Sequence, residues 1–159
     1  MCTPADLLTP GHLESSAVIW LLRHGDAADG SPDSERPLTE KGQRQALYAG
    51  LTLKRLGVQI ETCLTSPKVR ARETADLCCK ELGCGVTIDT ALQGGPFDPR
   101  EVAAGFDEVL LVGHDPDFSM AIHTMTGAQV RLKKGGLAGV HKGELIVLLR
   151  PTETEAIAT

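Results

Sequence analysis

Short, continuous apolar runs are the clearest pattern along this chain. Two of them, at residues 18–22 and 109–112, contain no polar residue. Such runs are typical of strands that are covered on both faces of a parallel sheet. Amphipathic stretches and turn residues separate the runs. The pattern predicts strands at 17–23, 58–65, 86–88 and 109–113, helices at 40–56, 67–82, 99–104 and 116–125, and a final hairpin of strands 137–141 and 145–149.

This alternation of strands and helices predicts an α/β fold. We expect a three-layer sandwich with a mostly parallel central sheet and a C-terminal antiparallel hairpin. A length of 159 residues suits one domain, which we assign to residues 17–150. Residues 1–16 show no clear period and are interpreted as an N-terminal extension, and residues 151–159 as a frayed C-terminal tail.

Capping residues support the predicted helix boundaries. Thr39 is suited to cap the first helix, and Gly57 is suited to end it. Ser66 and Asp115 each precede a proline, which is favoured at the first helical position. We therefore expect Ser66 and Asp115 to cap the second and fourth helices.

Three polar motifs follow three of the predicted strands. They are Arg23-His24-Gly25, Ser66-Pro67-Lys68-Val69-Arg70-Ala71 and Gly113-His114-Asp115-Pro116. In open α/β sheets, ligands bind beyond the carboxyl ends of the strands. We therefore expect the three motifs to form one site, with Gly25 allowing a sharp exit from the first strand.

The residue types in these motifs suit phosphoryl transfer. A neutral imidazole attacks without first losing a proton, so His24 is the candidate nucleophile, with its other nitrogen held protonated by a backbone carbonyl. Arg23 and Arg70 offer planar guanidinium groups that can bind phosphate oxygens. A protonated His114 would donate to an equatorial oxygen. Arg72, two residues after Arg70, points elsewhere on the helix and is interpreted as a solvated side chain.

These motifs resemble those of the histidine phosphatase superfamily, the phosphoglycerate-mutase-like enzymes. The small size of the chain, with Arg23-His24-Gly25-Asp26-Ala27 and Arg36-Pro37-Leu38-Thr39, looks most like the SixA-type phosphohistidine phosphatases. The resemblance implies a cofactor-independent phosphatase that works through phospho-His24, with Arg23, Arg70 and His114 around the phosphate. It leaves two roles open for Arg36, which either touches phosphate or forms a salt bridge between loop and helix.

The resemblance also bears on the substrate. Larger relatives use a carboxylate as general acid, in segments that are absent or shortened here. Asp26, Asp98 and Glu101 remain candidates for that role. Because an imidazole leaving group needs little acid assistance, protein phosphohistidine is the substrate we favour. The alternatives are a small-molecule phosphomonoesterase and a non-catalytic phosphate-binding module.

Composition excludes several other classes of function. Aromatic residues make up 3% of the chain and the net charge is −5, which argues against nucleic-acid binding. No stretch of 18 apolar residues predicts a membrane span, and no signal peptide is evident. Lys133-Lys134-Gly135-Gly136 lacks the order of a phosphate loop and is interpreted as a solvated turn with a role at the rim of the site. His12, His123 and His141 are interpreted as structural or exposed.

The five cysteines favour a reducing, cytoplasmic environment. Their number is odd, and Cys78, Cys79 and Cys84 form no C-x-x-C pair. We expect free thiols, no bound metal and no cofactor. The expected partner is a phosphohistidine-bearing protein or a small phosphorylated substrate, and the oligomeric state stays open.

Overall fold

The computed structural model describes residues 16–159. The predicted extension lies almost wholly outside these residues, as do Cys2 and His12. The strands are β1 Val18–Arg23, β2 Thr62–Thr65, β3 Val86–Ile88, β4 Glu108–Gly113, β5 Leu137–His141 and β6 Glu144–Leu149. The helices are α1 Glu40–Arg55, α2 Val69–Leu82, α3 Pro99–Val102, α4 Asp117–Thr126 and α5 Pro151–Ala158. Short 3₁₀ turns lie at Asp33–Glu35 and Thr90–Leu92.

The six strands form one sheet in the order β3-β2-β4-β1-β5-β6. The pairs among β1 to β4 are parallel, and the β1–β5 and β5–β6 pairs are antiparallel. The predicted mostly parallel sheet with an antiparallel C-terminal hairpin is confirmed. β2 is shorter than predicted, because its ladder with β4 begins only at Thr62, opposite Val109.

Two apolar layers cover the sheet. On one face, Ile19, Leu21 and Leu111 pack against Phe118 and Ile122 of α4. On the other face, the apolar side chains of α1 and α2 pack on the sheet, among them Ala49, Leu53, Ala71, Ala75 and Cys78. The apolar runs of β1 and β4 are thus covered on both sides, as their composition predicts.

The end of the chain differs from the prediction. Residues 151–158 form α5 instead of a frayed tail, and Thr154 and Ala158 are buried. The Thr52 hydroxyl of α1 donates to the Thr154 carbonyl oxygen at 3.0 Å. At the start of this helix the Glu153 carboxylate accepts the Arg150 backbone N–H at 2.9 Å and forms an ion pair with the Arg150 side chain. A helix as short as this one is stabilised by its packing on α1, which its local sequence does not reveal.

Candidate active site

The register of β1 and β4 brings His24 and His114 together. Arg23 pairs with Gly113 at the carboxyl ends of these two parallel strands, so the next residue of each strand is a histidine. The His24 backbone N–H donates to the Gly113 carbonyl oxygen at 3.0 Å. The two imidazole rings lie with their centroids 5.2 Å apart, and both side chains are buried. The sheet itself therefore fixes the spacing of the two histidines.

His24 is held in one orientation by its own backbone neighbour. Its Nδ1 lies 2.7 Å from the Gly25 carbonyl oxygen. Because a carbonyl only accepts hydrogen bonds, Nδ1 carries the proton and Nε2 carries the lone pair. Burial is the main cause that lowers the pKa of His24 from 6.5 to about 4, and the positive charges of Arg70 and Arg23 lower it further. His24 is therefore a neutral imidazole with a free nucleophilic nitrogen near pH 7.

Gly25 serves close packing at the exit of β1. A Cβ atom at this position would lie 2.6 Å from the backbone oxygen of Gly42 in α1. The expected sharp exit is thus a close approach between two backbone segments. The Gly25 N–H also donates to the Thr74 hydroxyl of α2 at 3.1 Å. These contacts hold α1 and α2 against the backbone that directly follows His24.

Arg23 and Arg70 are anchored by carbonyl oxygens. Arg23 Nη1 donates to the Leu132 carbonyl at 2.9 Å, and Arg70 Nη1 donates to the Asp33 carbonyl at 2.8 Å. The Nε atoms of both arginines are buried and have no protein partner. Since a buried donor without an acceptor is costly, these two N–H groups mark a place for an anion.

Ser66 does not cap α2, contrary to the prediction. The helix begins at Val69 with Lys68 at the cap position, and Lys68 makes no side-chain capping bond. The Ser66 Oγ instead lies 2.8 Å from His114 Nε2. The two residues follow the carboxyl ends of the neighbouring strands β2 and β4. α4 likewise begins at Asp117 rather than at Pro116, although both Asp115 oxygens still accept hydrogen bonds from Ser119.

His114 is neutral, so the protonated ring on which its donation to an equatorial oxygen was conditional is not present. Burial is the main cause that lowers its pKa to about 3, and the positive charge of Arg70 lowers it further. Its Nδ1 is buried and, like the two arginine Nε atoms, has no protein partner. Arg23 Nε, Arg70 Nε and His114 Nδ1 are the buried side-chain nitrogen or oxygen atoms without a hydrogen-bond partner in the described part of the chain, and all three belong to the predicted site.

The loop between β1 and α1 contributes a carboxylate, Asp33, that contacts cations of the site. Asp33 contacts Arg36 Nη1 at 3.0 Å, Arg70 Nη2 at 3.1 Å and Lys68 Nζ at 3.5 Å. The hydrogen bonds from Arg36 and Arg70 hold the pKa of Asp33 well below its usual range. Arg36 also donates from Nε to the Ala28 carbonyl at 2.8 Å. Arg36 thus forms a salt bridge within the loop itself, and its contact with phosphate stays a prediction.

These side chains surround a cavity of about 310 Å³. It is lined by Arg23, His24, Arg36, Lys68, Arg70, Gly94, His114, Asp115, Asp117 and Lys134. The structure thus brings together all five predicted site residues and two lysines, of which Lys134 belongs to the turn that the sequence placed at the rim of the site. The sequence could have indicated Lys68 as a site residue, because it lies within the second motif. Lys134 is placed by the backbone, since the Gly135 N–H donates to the Arg23 and His24 carbonyls at 3.1 Å.

The candidate general acids do not line this cavity. Asp26 accepts a hydrogen bond from the Thr39 hydroxyl at 2.8 Å, which is the main cause that lowers its pKa, and lies 3.6 Å from Lys134 Nζ. Asp98 accepts from the Arg100 N–H at the start of α3, the helix that also contains Glu101. The carboxylates of the lining are instead Asp115 and Asp117, and Asp117 accepts from the Gly95 N–H.

Arg72 lies outside the cavity lining. Its side chain is exposed, and its Nε donates to the Pro67 carbonyl oxygen at 2.9 Å. Cys63, Cys78, Cys79 and Cys84 are free thiols, of which the first three are buried. Within residues 16–159, no group of three or more histidine, cysteine or acidic side chains is arranged to hold a metal ion. None of the helices in this part of the chain has the length and hydropathy needed to cross a bilayer.

Comparison with known proteins agrees with this geometry. Residues 19–101 match the family described as the histidine phosphatase superfamily (branch 1). An uncharacterised protein of Picosynechococcus sp. is 36% identical over 140 residues, which cover 79% of this chain and 85% of the relative. The chain therefore belongs to the histidine phosphatase superfamily.

Solved structures and further relatives support a phosphatase. The protein histidine phosphatase SixA in complex with tungstate superposes with a TM-score of 0.74 and 25% identity, covering 86% of this chain and 98% of SixA. A SixA-type protein of Agrobacterium tumefaciens, at 24% identity and a TM-score of 0.70, shares the fold over 86% of this chain and 99% of its own. The human mitochondrial serine/threonine-protein phosphatase PGAM5 is 37% identical over 93 residues, which are 55% of this chain and 32% of PGAM5.

Proposed function

We propose that this protein is a phosphatase that forms a phospho-His24 intermediate and acts on protein-borne phosphohistidine. The observation that carries the proposal is the neutral His24, whose Nδ1 is bound to the Gly25 carbonyl at 2.7 Å in a cavity lined by cations. Arg23, Arg36, Lys68, Arg70 and Lys134 supply the positive charge. The reaction needs no external cofactor in this scheme.

The reaction runs in two displacements at phosphorus. First, the Nε2 lone pair of His24 forms a P–N bond while the bond to the substrate's leaving group breaks, and the leaving group departs with the bonding electrons. Then a water molecule forms a P–O bond while the P–N bond to His24 breaks and Nε2 regains its lone pair. Both hydrogens of the water stay on the phosphate oxygens, so dihydrogen phosphate is released and His24 is neutral again. Arg23 and Arg70 would bind equatorial oxygens throughout, where charge accumulates in the transition state.

The state of the carboxylates supports a labile leaving group. Both oxygens of Asp115 accept hydrogen bonds from Ser119, and one oxygen of Asp117 accepts from Gly95. The pKa of Asp26 is lowered, so this group is a poor proton donor near pH 7. An alkyl ester needs a proton for its departing alkoxide, whereas a phosphohistidine imidazole leaves with less help. This contrast favours phosphohistidine among phosphorylated side chains.

A second candidate function is the hydrolysis of phosphoserine or phosphothreonine on proteins. The names of the PGAM5 relatives favour it, since those proteins are serine/threonine phosphatases. The chain spans only 22–32% of the length of the PGAM5 relatives that it matches, so their activity transfers to it as a hypothesis alone. A cytoplasmic location and a small-molecule phosphomonoester substrate are likewise hypotheses.

A leaving-group series tests the proposal. We would measure kcat/KM at fixed pH for a phosphohistidine protein, an activated aryl phosphate and a phosphoserine protein. The proposal expects the first two to react and the third to be poor. Good activity on the phosphoserine protein would reject phosphohistidine as the preferred substrate and support the second candidate function.

The intermediate is tested separately. Wild-type protein is mixed with ³²P-labelled aryl phosphate, which carries no histidine, and quenched in alkaline detergent because a phosphohistidine bond is labile in acid. Label is expected on His24. Label on another residue would overturn the proposed mechanism whichever substrate is preferred.

A further inference from the structure

The Ser66 hydroxyl lies between two hydrogen-bonding groups at the end of β2. Its side chain is fully buried, with 0% exposure. Its Oγ lies 2.8 Å from His114 Nε2 and accepts the Lys68 backbone N–H at 3.2 Å. We propose that Ser66 is a positioning residue that holds His114 as the Nδ1–H tautomer, so that Nδ1–H donates to a phosphoryl oxygen. This inference rests on the proposed function and assigns how its second histidine works.

Hydrogen-bond accounting selects the tautomer. If His114 Nε2 carried the proton, the Ser66 Oγ would accept two hydrogen bonds, and its own hydroxyl hydrogen would be buried without an acceptor. If Nε2 carries the lone pair, the hydroxyl donates to it, and only the ring Nδ1–H, which has no protein partner, is left to find an acceptor. The first arrangement leaves both the hydroxyl hydrogen and the Nδ1 lone pair without partners, whereas the second leaves only Nδ1–H, from which a phosphoryl oxygen can accept. Because buried unsatisfied polar groups are costly, the second arrangement is preferred. The proton of the neutral ring then sits on Nδ1.

The position of Nδ1 connects this tautomer to the reaction. His114 lines the cavity, its ring is 5.2 Å from that of His24, and its Nδ1 is buried without a protein partner. A phosphoryl oxygen would supply the missing acceptor. The bond requires no protonation of the ring, so a histidine with a pKa of about 3 still donates at neutral pH. Without the serine, the ring could place its proton on Nε2 and present a lone pair to an anion.

Nuclear magnetic resonance reads the tautomer directly. Long-range ¹H–¹⁵N spectra of protein labelled at histidine distinguish a protonated from an unprotonated ring nitrogen. The His114 signals are identified by their loss in His114→Asn. We expect protonated Nδ1 and unprotonated Nε2 in the wild type, and a change in the Nδ1–H signal on addition of inorganic phosphate. A wild-type ring with its proton on Nε2 would overturn the inference without any variant.

Ser66→Ala tests whether the serine is the cause. The His114 signals should move toward the Nε2–H form, and kcat should fall about tenfold, less than the loss on removing a transition-state donor outright. Thr65→Val is the matched control. Thr65 is also fully buried at the end of β2, and its hydroxyl donates to the Ser66 carbonyl at 3.2 Å rather than to His114. The control should keep the wild-type tautomer and a near wild-type kcat.

The outcomes separate this inference from the proposed function. An unchanged tautomer in Ser66→Ala, or an unchanged kcat, would overturn the role of Ser66 even if phospho-His24 is trapped. Conversely, a failure to trap phospho-His24 would reject the proposed function, while the wild-type spectrum would still report the tautomer.

Discussion

The base and the rim of the cavity are built in different ways. The base consists of Arg23, His24 and His114 at the ends of β1 and β4, and of Arg70 at the start of α2. Its side chains are buried or half-buried, and backbone carbonyls or the Ser66 hydroxyl orient them. The rim consists of Arg36, Lys68 and Lys134. All three side chains form ion pairs, Arg36 and Lys68 with Asp33 and Lys134 with Asp26.

This difference predicts where substitutions will matter. A buried group whose partners are fixed cannot be replaced by solvent, whereas an exposed charge is screened and its ion pair contributes little. The base should therefore set the rate of the chemical step. The rim should mainly affect the encounter with an anionic substrate, in a way that depends on salt.

The largest effect is expected at the nucleophile. His24→Ala should reduce turnover by about 10⁴-fold or more, because no neighbouring group can replace its Nε2 lone pair. The fold should remain, since the side chain lies beyond the end of β1. Circular dichroism and the steady-state rate check both statements, with the exposed His123→Ala of α4 as the control. Substantial turnover by His24→Ala would mean that the base does not supply the nucleophile.

The next effect is expected at the arginine of the base. Arg70→Lys keeps the charge and loses the planar guanidinium, which should cost about 3 kcal/mol in transition-state stabilisation, or roughly a hundredfold in kcat. Arg72→Lys, two residues along α2 and exposed, is the matched control and should change the rate little. Equal losses of kcat in the two variants would show that Arg70, in the cavity, is no more important for catalysis than Arg72, on the helix surface.

A smaller effect concerns stability in acid. Folding holds the pKa of His24 at about 4 and that of His114 at about 3, whereas the unfolded chain takes up these protons near 6.5. The unfolded state thus binds more protons between pH 6.5 and 4, and the free energy of unfolding falls as the pH falls through this window. Between pH 7 and pH 5 we expect a loss of about 2 kcal/mol for each histidine.

Denaturant unfolding at the two pH values checks this prediction. The comparison is with the double variant His24→Asn and His114→Asn, whose stability should depend less on pH. If the free energy of unfolding falls equally in the wild type and the double variant, folding does not lower the pKa values of the two histidines and the prediction is wrong.

The smallest effect is expected at the rim. Lys134 is exposed and lies 3.6 Å from Asp26, so Lys134→Ala should raise KM by less than about threefold and leave kcat unchanged. The difference from the wild type should shrink as salt is added, because exposed charges are screened. Initial rates at low and high salt measure this. A loss in kcat that persists at high salt would place Lys134 with the base.

The sequence predicted much of the base of the site. Apolar runs identified β1 and β4, and the rule that ligands bind beyond strand ends placed His24 and His114 at one edge. The carbonyl bond expected for His24 is present, because it forms between adjacent residues and needs only the local turn. The roles of these residues in catalysis stay predictions.

The tertiary structure decided what depends on distant partners. Ser66 has the local pattern of a helix cap, yet its hydroxyl meets His114, which lies 48 residues away. Asp33 contacts Arg70, 37 residues away, and α5 is stabilised on α1. The neutral state of His114 likewise depends on burial and on the nearby charge of Arg70, which the sequence around His114 does not reveal. Patterns of hydrophobicity and capping act within a few residues along the chain. A hydrogen-bond partner, a pKa or a packed terminal helix depends on which groups folding brings into contact.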